Sequence, residues 1–285
     1  MFSKRLPLPA GPHDLPAPAP PAGALHAVSR VGVVILLVLA VFNGAFLYGL
    51  PTLTGAEYAW VIATPVNAAF LGAGYLAGTV ATALVVFATR SWRSLRVLPL
   101  PLVVLSVGLL AATLLHADKF RWDYPLTWVW TAVYATVPFV VAVLWRRQER
   151  VASRAPAFHP GLRGVRIASA ALGSVLMVVA LALYAGAVEL WPWPLTPLLG
   201  QALGSWYALV ATALLVCARS MRRPVEAVIP YATLLTWSLL LLLLPLLHGV
   251  TFSVELGVWI ALHVALVTLS AAALLAARRL HEGRL

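Results

Sequence analysis

Residues 64–89, TPVNAAFLGAGYLAGTVATALVVFAT, form an unbroken stretch that contains no Asp, Glu, Lys or Arg. About 20 apolar residues in an α-helix cross the hydrocarbon core of a bilayer, which is about 30 Å thick. The stretch is long enough to do so, and it carries no charge that the bilayer would exclude. It therefore predicts a transmembrane helix and sets the class of fold for the chain.

Seven further apolar runs of similar length accompany this one. They are residues 31–50, 97–116, 125–145, 167–189, 197–218, 227–247 and 255–277. The whole chain is 62% hydrophobic and only 10% charged, whereas soluble domains contain about 25% charged residues. We expect an all-α membrane protein with eight transmembrane helices, whose main partner is the lipid bilayer.

The basic residues predict the orientation of these helices. With the N-terminus inside, 18 of the 20 Lys and Arg residues fall in cytoplasmic segments, and only Lys119 and Arg121 fall outside. Cytoplasmic loops of membrane proteins are enriched in Lys and Arg, so we expect both termini in the cytoplasm. The net charge of +11 does not indicate a nucleic-acid partner, because the basic residues lie in short gaps between apolar runs.

The quoted stretch is repeated later in the chain. The pattern T-P-x5-L-G-x-x-Y runs from Thr64 to Tyr75 and again, 132 residues later, from Thr196 to Tyr207. The same offset relates residues 114–116 to residues 246–248, both Leu-Leu-His. After a small gap, Trp130 and Tyr134 correspond to Trp259 and His263. The pattern predicts two four-helix repeats, and they are parallel because four is an even number of spans.

This duplication divides the chain into four parts. We expect a disordered, proline-rich cytoplasmic tail at residues 1–30 and a first four-helix repeat at 31–147. A basic cytoplasmic linker follows at 148–166. The second repeat occupies 167–285 and ends in a short cytoplasmic tail.

Polar residues concentrate in the outer half of the predicted bundle. Ionisable or polar groups inside a membrane commonly belong to functional sites. We therefore predict a ligand-binding site among His116, His248, His263, Asp118, Tyr75, Tyr207, Asn67 and Gln201. No residue is predicted to be catalytic, because the chain contains no reaction-specific motif and does not indicate an enzyme.

The two equivalent histidines admit two interpretations. His116 and His248 are each predicted at the outer end of a helix, where an imidazole ring can lie among lipid headgroups and water. Alternatively, they form a paired site that ligates haem iron or a metal, or relays a proton. The cofactor is therefore not specified, because only the second interpretation involves haem or a metal.

Two further patterns have ordinary structural interpretations. The G-x-x-x-G pairs Gly74 with Gly78 and Gly200 with Gly204 predict close helix packing. Aromatic residues of the outer loops predict an interfacial belt; they are Tyr58, Trp60, Trp122, Tyr124, Trp191 and Trp193.

The stretches 71–75 (LGAGY) and 114–120 (LLHADKF), followed by Trp128 and Trp130, resemble a group of uncharacterised bacterial membrane proteins of actinobacterial type. The resemblance covers most of both repeats. It implies a bacterial inner membrane and implies no activity.

Three classes of function fit these observations. A non-catalytic subunit or assembly component of a larger membrane complex is the first, because the spans lack charged residues, and other membrane subunits would then be partners. A transporter or channel for a small molecule or ion is the second, and a haem- or metal-binding redox protein that uses the paired histidines is the third.

Overall fold

A computed structural model describes residues 27–89, 92–150 and 157–282. Over these ranges the long elements are all helices, and the only β-type pairing is an isolated bridge between Trp60 and Phe120. We number the eight long helices α1 Ala27–Gly49, α2 Pro65–Ala83, α3 Pro99–Leu115, α4 Pro125–Arg150, α5 Arg163–Tyr184, α6 Pro197–Ser220, α7 Val228–Leu247 and α8 Val254–His281. The predicted all-α fold is confirmed. Residues 1–26 of the predicted tail, 151–156 of the predicted linker and 283–285 at the C-terminus lie outside the described ranges.

Each predicted span overlaps one of these helices. Seven of the eight are long and apolar enough to cross a membrane, and α3 is a shorter apolar helix of 17 residues. At 1.5 Å per residue α3 is about 25 Å long, slightly less than the hydrocarbon core of a bilayer. This multi-pass helical architecture is consistent with an integral membrane protein.

Proline starts many of these helices. Residues Pro65, Pro99, Pro125 and Pro197 are the first residues of α2, α3, α4 and α6. Proline suits this position because its φ angle is already helical and its missing N–H would have no partner inside the helix. The two Thr-Pro copies nevertheless differ. Thr196 accepts a hydrogen bond from the Leu199 N–H at 3.2 Å, whereas Thr64 makes no side-chain cap.

The helices pack in pairs within and between the two halves of the chain. Within the halves, α1 packs on α2, α3 on α4, α5 on α6 and α7 on α8. Between the halves, α2 packs on α7 and α3 packs on α6. Among the seven longer helices α6 is the most buried. In its most hydrophobic segment 61% of the residues are buried, compared with 17% in α1 and in α4. The centre of the bundle is therefore built from α2, α6 and α7, and α1 and α4 lie at its edge.

The glycine of each repeated Leu-Gly pair lies at a close contact between helices. A Cβ atom on Gly72 would lie 2.8 Å from the backbone carbon of Leu47 in α1, and one on Gly204 would lie 3.0 Å from the Ala180 carbonyl oxygen in α5. Glycine is needed at position 72 because a side chain would collide with backbone atoms of α1, and at position 204 a side chain would be in tight contact with the backbone of α5. The two glycines thus have the same role in α1–α2 and α5–α6 packing.

Helix α4 is held mainly at its two ends. Near its start, Thr127 donates a hydrogen bond to the Ala59 carbonyl oxygen at 3.0 Å. Near its end, the Glu149 carboxylate pairs with Arg96 at 2.8 Å and accepts the Trp92 indole N–H at 3.0 Å. Between these ends α4 packs mainly on α3, so its middle stands apart from α1.

Candidate functional site

Five aromatic side chains form one cluster in the first half, which we call the first aromatic cluster; its members are Tyr58, Trp60, Tyr75, Trp130 and Tyr134. Two residues come from the loop before α2, one from α2 itself and two from α4. The hydroxyl groups of Tyr75 and Tyr134 are hydrogen-bonded to each other. The Trp130 indole N–H donates to the Thr113 hydroxyl of α3 at 3.0 Å. The cluster therefore joins α2, α3 and α4.

The second half contains an equivalent group, the second aromatic cluster, which consists of Trp191, Trp193, Tyr207, Trp259 and His263. Its residues again come from the loop before the second helix, from that helix and from the start of the fourth helix. The predicted site residues Tyr207 and His263 meet here, with the phenol oxygen 3.1 Å from His263 Nε2. Both side chains are completely buried.

The hydrogen bonds of the second aromatic cluster define the tautomer of His263. Its Nδ1 lies 2.8 Å from the Trp259 carbonyl oxygen, which can only accept, so Nδ1 carries the hydrogen. Nε2 of the neutral ring then accepts from the Tyr207 hydroxyl. The same hydroxyl oxygen accepts the Trp259 indole N–H at 3.1 Å. Each of these polar atoms has a partner, which is the arrangement expected of a stabilising network.

Asn67 and Gln201 have different surroundings. Asn67 is completely buried, accepts the Trp193 indole N–H at 2.7 Å and donates to the Pro194 carbonyl oxygen at 3.2 Å. It therefore ties α2 to the loop of the other half. The side-chain oxygen of Gln201 is buried, and no hydrogen-bond donor within the described residues reaches it.

The other predicted site residues lie at or beyond helix ends. His116 and His248 follow the last residues of α3 and α7, and no hydrogen-bond partner within the described residues reaches the buried Nε2 of His116. Asp118 is exposed and pairs with Lys119 at 2.8 Å, which lowers the pKa of its carboxyl group. Burial lowers the pKa of His248. The described residues include no group of three or more His, Cys, Asp or Glu placed to hold a metal ion.

Four of the six outer-loop aromatics are buried inside the bundle. Tyr58, Trp60, Trp191 and Trp193 are members of the two clusters, and Trp60 is only 2% exposed. The interfacial-belt interpretation is therefore wrong for these four, because they pack on Trp130 and Trp259 instead of lying among headgroups. The sequence did contain a signal for this arrangement: an aromatic-x-aromatic pattern precedes the second helix of each half, at an offset of 133.

A cavity of about 590 Å³ lies beside the first aromatic cluster. Its wall is formed by residues of α1, α2, α3, α4, α6 and α7 and is mostly apolar. Phe42 of α1 and Val129 of α4 line it and are also 64% and 52% exposed on the surface. The cavity therefore opens sideways between α1 and α4, on the face that a bilayer would cover.

The two ends of this opening are narrow. Toward one end, a Cβ atom on Gly32 of α1 would lie 3.4 Å from a methyl group of Leu144 in α4. At the other end, the Tyr124 hydroxyl donates to the Glu57 carboxylate at 2.9 Å, and this hydrogen bond raises the pKa of Tyr124. In the second half, by contrast, the first and last helices, α5 and α8, pack against each other. The opening follows from the separation of α1 and α4.

The chain matches no family model, no curated protein and no solved structure. The fold and the cavity alone define the class: a helical, multi-pass architecture consistent with an integral membrane protein, with an apolar cavity that opens through its lateral face.

Proposed function

We propose that this protein binds a small apolar molecule, which enters from the bilayer between α1 and α4, as a binding protein or carrier. The observation that carries the proposal is the laterally open cavity. Its volume of about 590 Å³ lies within the range of about 300–1,000 Å³ that is usual for small-molecule sites. Its mostly apolar wall favours a solute that partitions into lipid over an ion or a sugar.

The scarcity of charge inside the bundle supports this choice among transport functions. Among the buried residues of the described ranges, His263 is the only Asp, Glu, Lys, Arg or His. Its ring nitrogens are already used in the network with Trp259 and Tyr207. Ion-coupled carriers place ionisable groups along the path of the ion, so the buried residues favour binding of a neutral solute.

A photoreactive probe tests the proposal. An iodophenyl diazirine is small, neutral and apolar, and it partitions into the bilayer. We expect it to label Leu209 and Ala213, which line the cavity on the highly enclosed helix α6. Peptide mass spectrometry locates the label. Labelling restricted to exposed residues of α1 and α4, with α6 unlabelled, contradicts the proposal.

Paired variants of α4 sharpen this test. Val133→Trp places a large side chain in the cavity, because Val133 lines it. Val140→Trp makes the same change at a residue of the same helix that is 51% exposed and does not line the cavity. Labelling of α6 is expected to fall at least fivefold in Val133→Trp and to persist in Val140→Trp.

A non-catalytic subunit of a membrane complex is the second candidate function. The same scarcity of buried charge favours it, because a scaffold needs no ionisable group inside the membrane. Stable co-purification of another membrane protein in mild detergent, abolished by Val133→Trp but not by Val140→Trp, would indicate that a partner helix covers the opening. A haem or metal site at His116 and His248 stays a prediction; a Soret band in the purified protein would support it.

The two halves are proposed to be parallel repeats related by a pseudo-two-fold axis along the membrane normal. Under this relation α2 corresponds to α6 and α7 corresponds to α3, so the contact between α2 and α7 corresponds to the contact between α6 and α3. The first aromatic cluster likewise corresponds to the second. Two hydrogen bonds follow the same rule. Tyr48 of α1 donates to the Leu240 carbonyl oxygen of α7, and Tyr184 of α5 donates to the Gly108 carbonyl oxygen of α3. Gly108 and Leu240 are 132 residues apart, which is the offset of the sequence repeat.

The proposed location is a bacterial plasma membrane, with both termini in the cytoplasm. The distribution of Lys and Arg along the chain supports the orientation. In this orientation, the Glu57–Tyr124 end of the cavity lies toward the outer surface, and the Gly32–Leu144 end lies toward the cytoplasm.

A further inference from the structure

The cavity is elongated along the helices. Its lining runs from Leu36 to Phe46 on α1 and from Leu126 to Val137 on α4, which corresponds to about 15 Å along each helix at 1.5 Å per residue. A volume of about 590 Å³ over this length gives a mean width of about 7 Å. An α-helix with its side chains is about 10–12 Å wide. The cavity therefore fits an extended chain and is too narrow to take in a partner helix.

Charge is found at one end of the cavity. Among the described residues that line it, Glu57 alone is an Asp, Glu, Lys or Arg, and its side chain is exposed. The Tyr124 hydroxyl donates to Glu57 Oε2 at 2.9 Å, and the guanidinium group of Arg121 lies 4.6 Å from the centre of the Tyr124 ring. The carboxylate can accept further hydrogen bonds. This end therefore has charges of both signs beside one tyrosine.

Polar side chains farther along the wall are hydrogen-bonded within the protein. Asn43, Thr82 and Thr233 each donate to the carbonyl oxygen four residues earlier in their own helices, at 2.9, 2.8 and 2.8 Å. The hydroxyl groups of Tyr75 and Tyr134 are hydrogen-bonded to each other. An apolar chain can fill this part of the cavity without depriving these groups of their partners.

We propose that the cavity holds one acyl chain of a membrane lipid whose phosphoethanolamine head lies at the Glu57–Tyr124 end. The ammonium group of the head pairs with the Glu57 carboxylate, and the phosphate lies toward Arg121. The chain extends between α1 and α4 toward Leu36 and Val137. This inference rests on the proposed function and specifies its ligand, which partitions into lipid and has no net charge.

Two photoreactive lysophosphatidylethanolamines test the orientation, with the full-length protein in phosphatidylcholine nanodiscs. One carries a diazirine near the end of its acyl chain, and the other carries the diazirine next to the ester. We expect the chain-end probe to label Ala213 of α6 and Val137 of α4, and the ester-end probe to label Phe46 of α1, because these residues line opposite ends of the cavity. Peptide mass spectrometry locates each label.

The same experiment separates this inference from the proposed function. Identical labelling patterns from the two lipid probes overturn the inference. If the iodophenyl diazirine labels α6 and neither lipid probe labels the cavity, the inference fails and the proposed function stands. If no probe labels α6, the proposed function fails as well.

Competition between two lipids tests the head group. Unlabelled lysophosphatidylethanolamine and lysophosphatidylglycerol are used with the same acyl chain, and both contain a phosphate, but only the first has an ammonium group. We expect the ethanolamine lipid to suppress chain-end labelling at an about fivefold lower concentration, which is the effect of an ion pair at an exposed site. Equal potency of the two lipids overturns the inference.

Paired variants assign this preference to one carboxylate. Glu57→Gln removes the charge and keeps an oxygen that can accept from Tyr124, so the variant is expected to fold and to lose the fivefold preference. Glu189→Gln is the matched control, because Glu189 is also exposed, in the loop between α5 and α6, but does not line the cavity. The control is expected to keep the preference. An unchanged preference in Glu57→Gln overturns the inference.

Discussion

At the scale of single residues, the two aromatic clusters differ in one exchange that changes their chemistry. Tyr134 of the first cluster occupies the place of His263 in the second, and each is hydrogen-bonded to the tyrosine of the second helix of its half. In the second cluster, Tyr207 is bonded to both Trp259 and His263. Tyr207 is therefore the residue on which this network depends.

We predict that Tyr207→Phe destabilises the protein by about 1–3 kcal/mol, because it leaves the Trp259 N–H and His263 Nε2 without partners in a buried site. Thermal unfolding in a fixed detergent, followed by circular dichroism, measures the effect. Tyr58→Phe is the matched control. It deletes the same hydroxyl group in the first cluster, where the neighbouring Tyr75 hydroxyl stays hydrogen-bonded to Tyr134, and the expected change is below about 1 kcal/mol. Equal unfolding temperatures for both variants would mean that the Tyr207 network adds no stability.

At the scale of helices, the glycines differ in how closely a neighbouring helix approaches them. Gly72 lies against the backbone of α1. Gly78 of the same helix has more space, because a Cβ added there would have only the Ala40 side chain near it, at 3.9 Å. The G-x-x-x-G pair Gly74 and Gly78 is thus not one uniform contact. A Cβ on Gly74 would instead meet the Trp206 ring at 2.6 Å.

We predict opposite effects for alanine at these two positions of α2. Gly72→Ala is expected to destabilise the α1–α2 pair by about 1–3 kcal/mol, because the added carbon collides with backbone atoms that cannot turn away. Gly78→Ala is expected to be neutral or to stabilise by up to about 1 kcal/mol, because alanine favours the helix and fits the available space. The measurement is again thermal unfolding in detergent. A loss of stability in Gly78→Ala that equals the loss in Gly72→Ala would contradict the helix packing described above.

At the scale of the whole molecule, the helices of one half are interleaved with those of the other. Helices α2 and α3 make their contacts between halves with α7 and α6, so neither half encloses its own core. Asn67 and Trp193 reinforce this arrangement with a buried hydrogen bond across the two halves. We therefore expect the halves to fold and to unfold together.

Cysteine labelling tests the proposed orientation in intact cells. Cys217 is buried and 2% exposed, so the unmodified chain provides a low background. We predict that Asp123→Cys reacts with an impermeant maleimide added from outside, and that a reporter fused to the C-terminus is active in the cytoplasm. A variant with cysteine at Arg222, in the short connection between α6 and α7, is the matched control and is expected to react only after lysis. Labelling of the Arg222 variant but not the Asp123 variant in intact cells would reverse the orientation.

A structure determined in lipid nanodiscs tests the proposed repeat relation. We predict that α1–α4 superpose on α5–α8 by rotation about the membrane normal, which brings Tyr75 onto Tyr207 and Trp130 onto Trp259. The physical reason is that four spans per repeat give both repeats the same direction of entry. An inverted relation between the halves would contradict it.

The sequence by itself determined the elements of this protein. Apolar runs of about 20 residues, closed by charged loops and often opened by proline, specify helices whatever surrounds them, because backbone groups in an apolar medium must pair within the helix. The Leu-Gly and Tyr pattern at a constant offset also predicted that the two halves are repeats. In contrast, the clusters and the cavity depend on which helices become neighbours.

Only the tertiary structure determined which helices and loops become neighbours. Trp60 and Trp193 suggested lipid headgroups by their place in outer loops, but the loops fold inward and bury them on Trp130 and Trp259. The cavity could not be predicted from the apolar runs, because α1 and α4 are as apolar as the helices that do pack together. Helix α4 is held near its ends by Thr127 and Glu149 and packs mainly on α3, and contacts between distant residues of this kind leave no local pattern in the sequence.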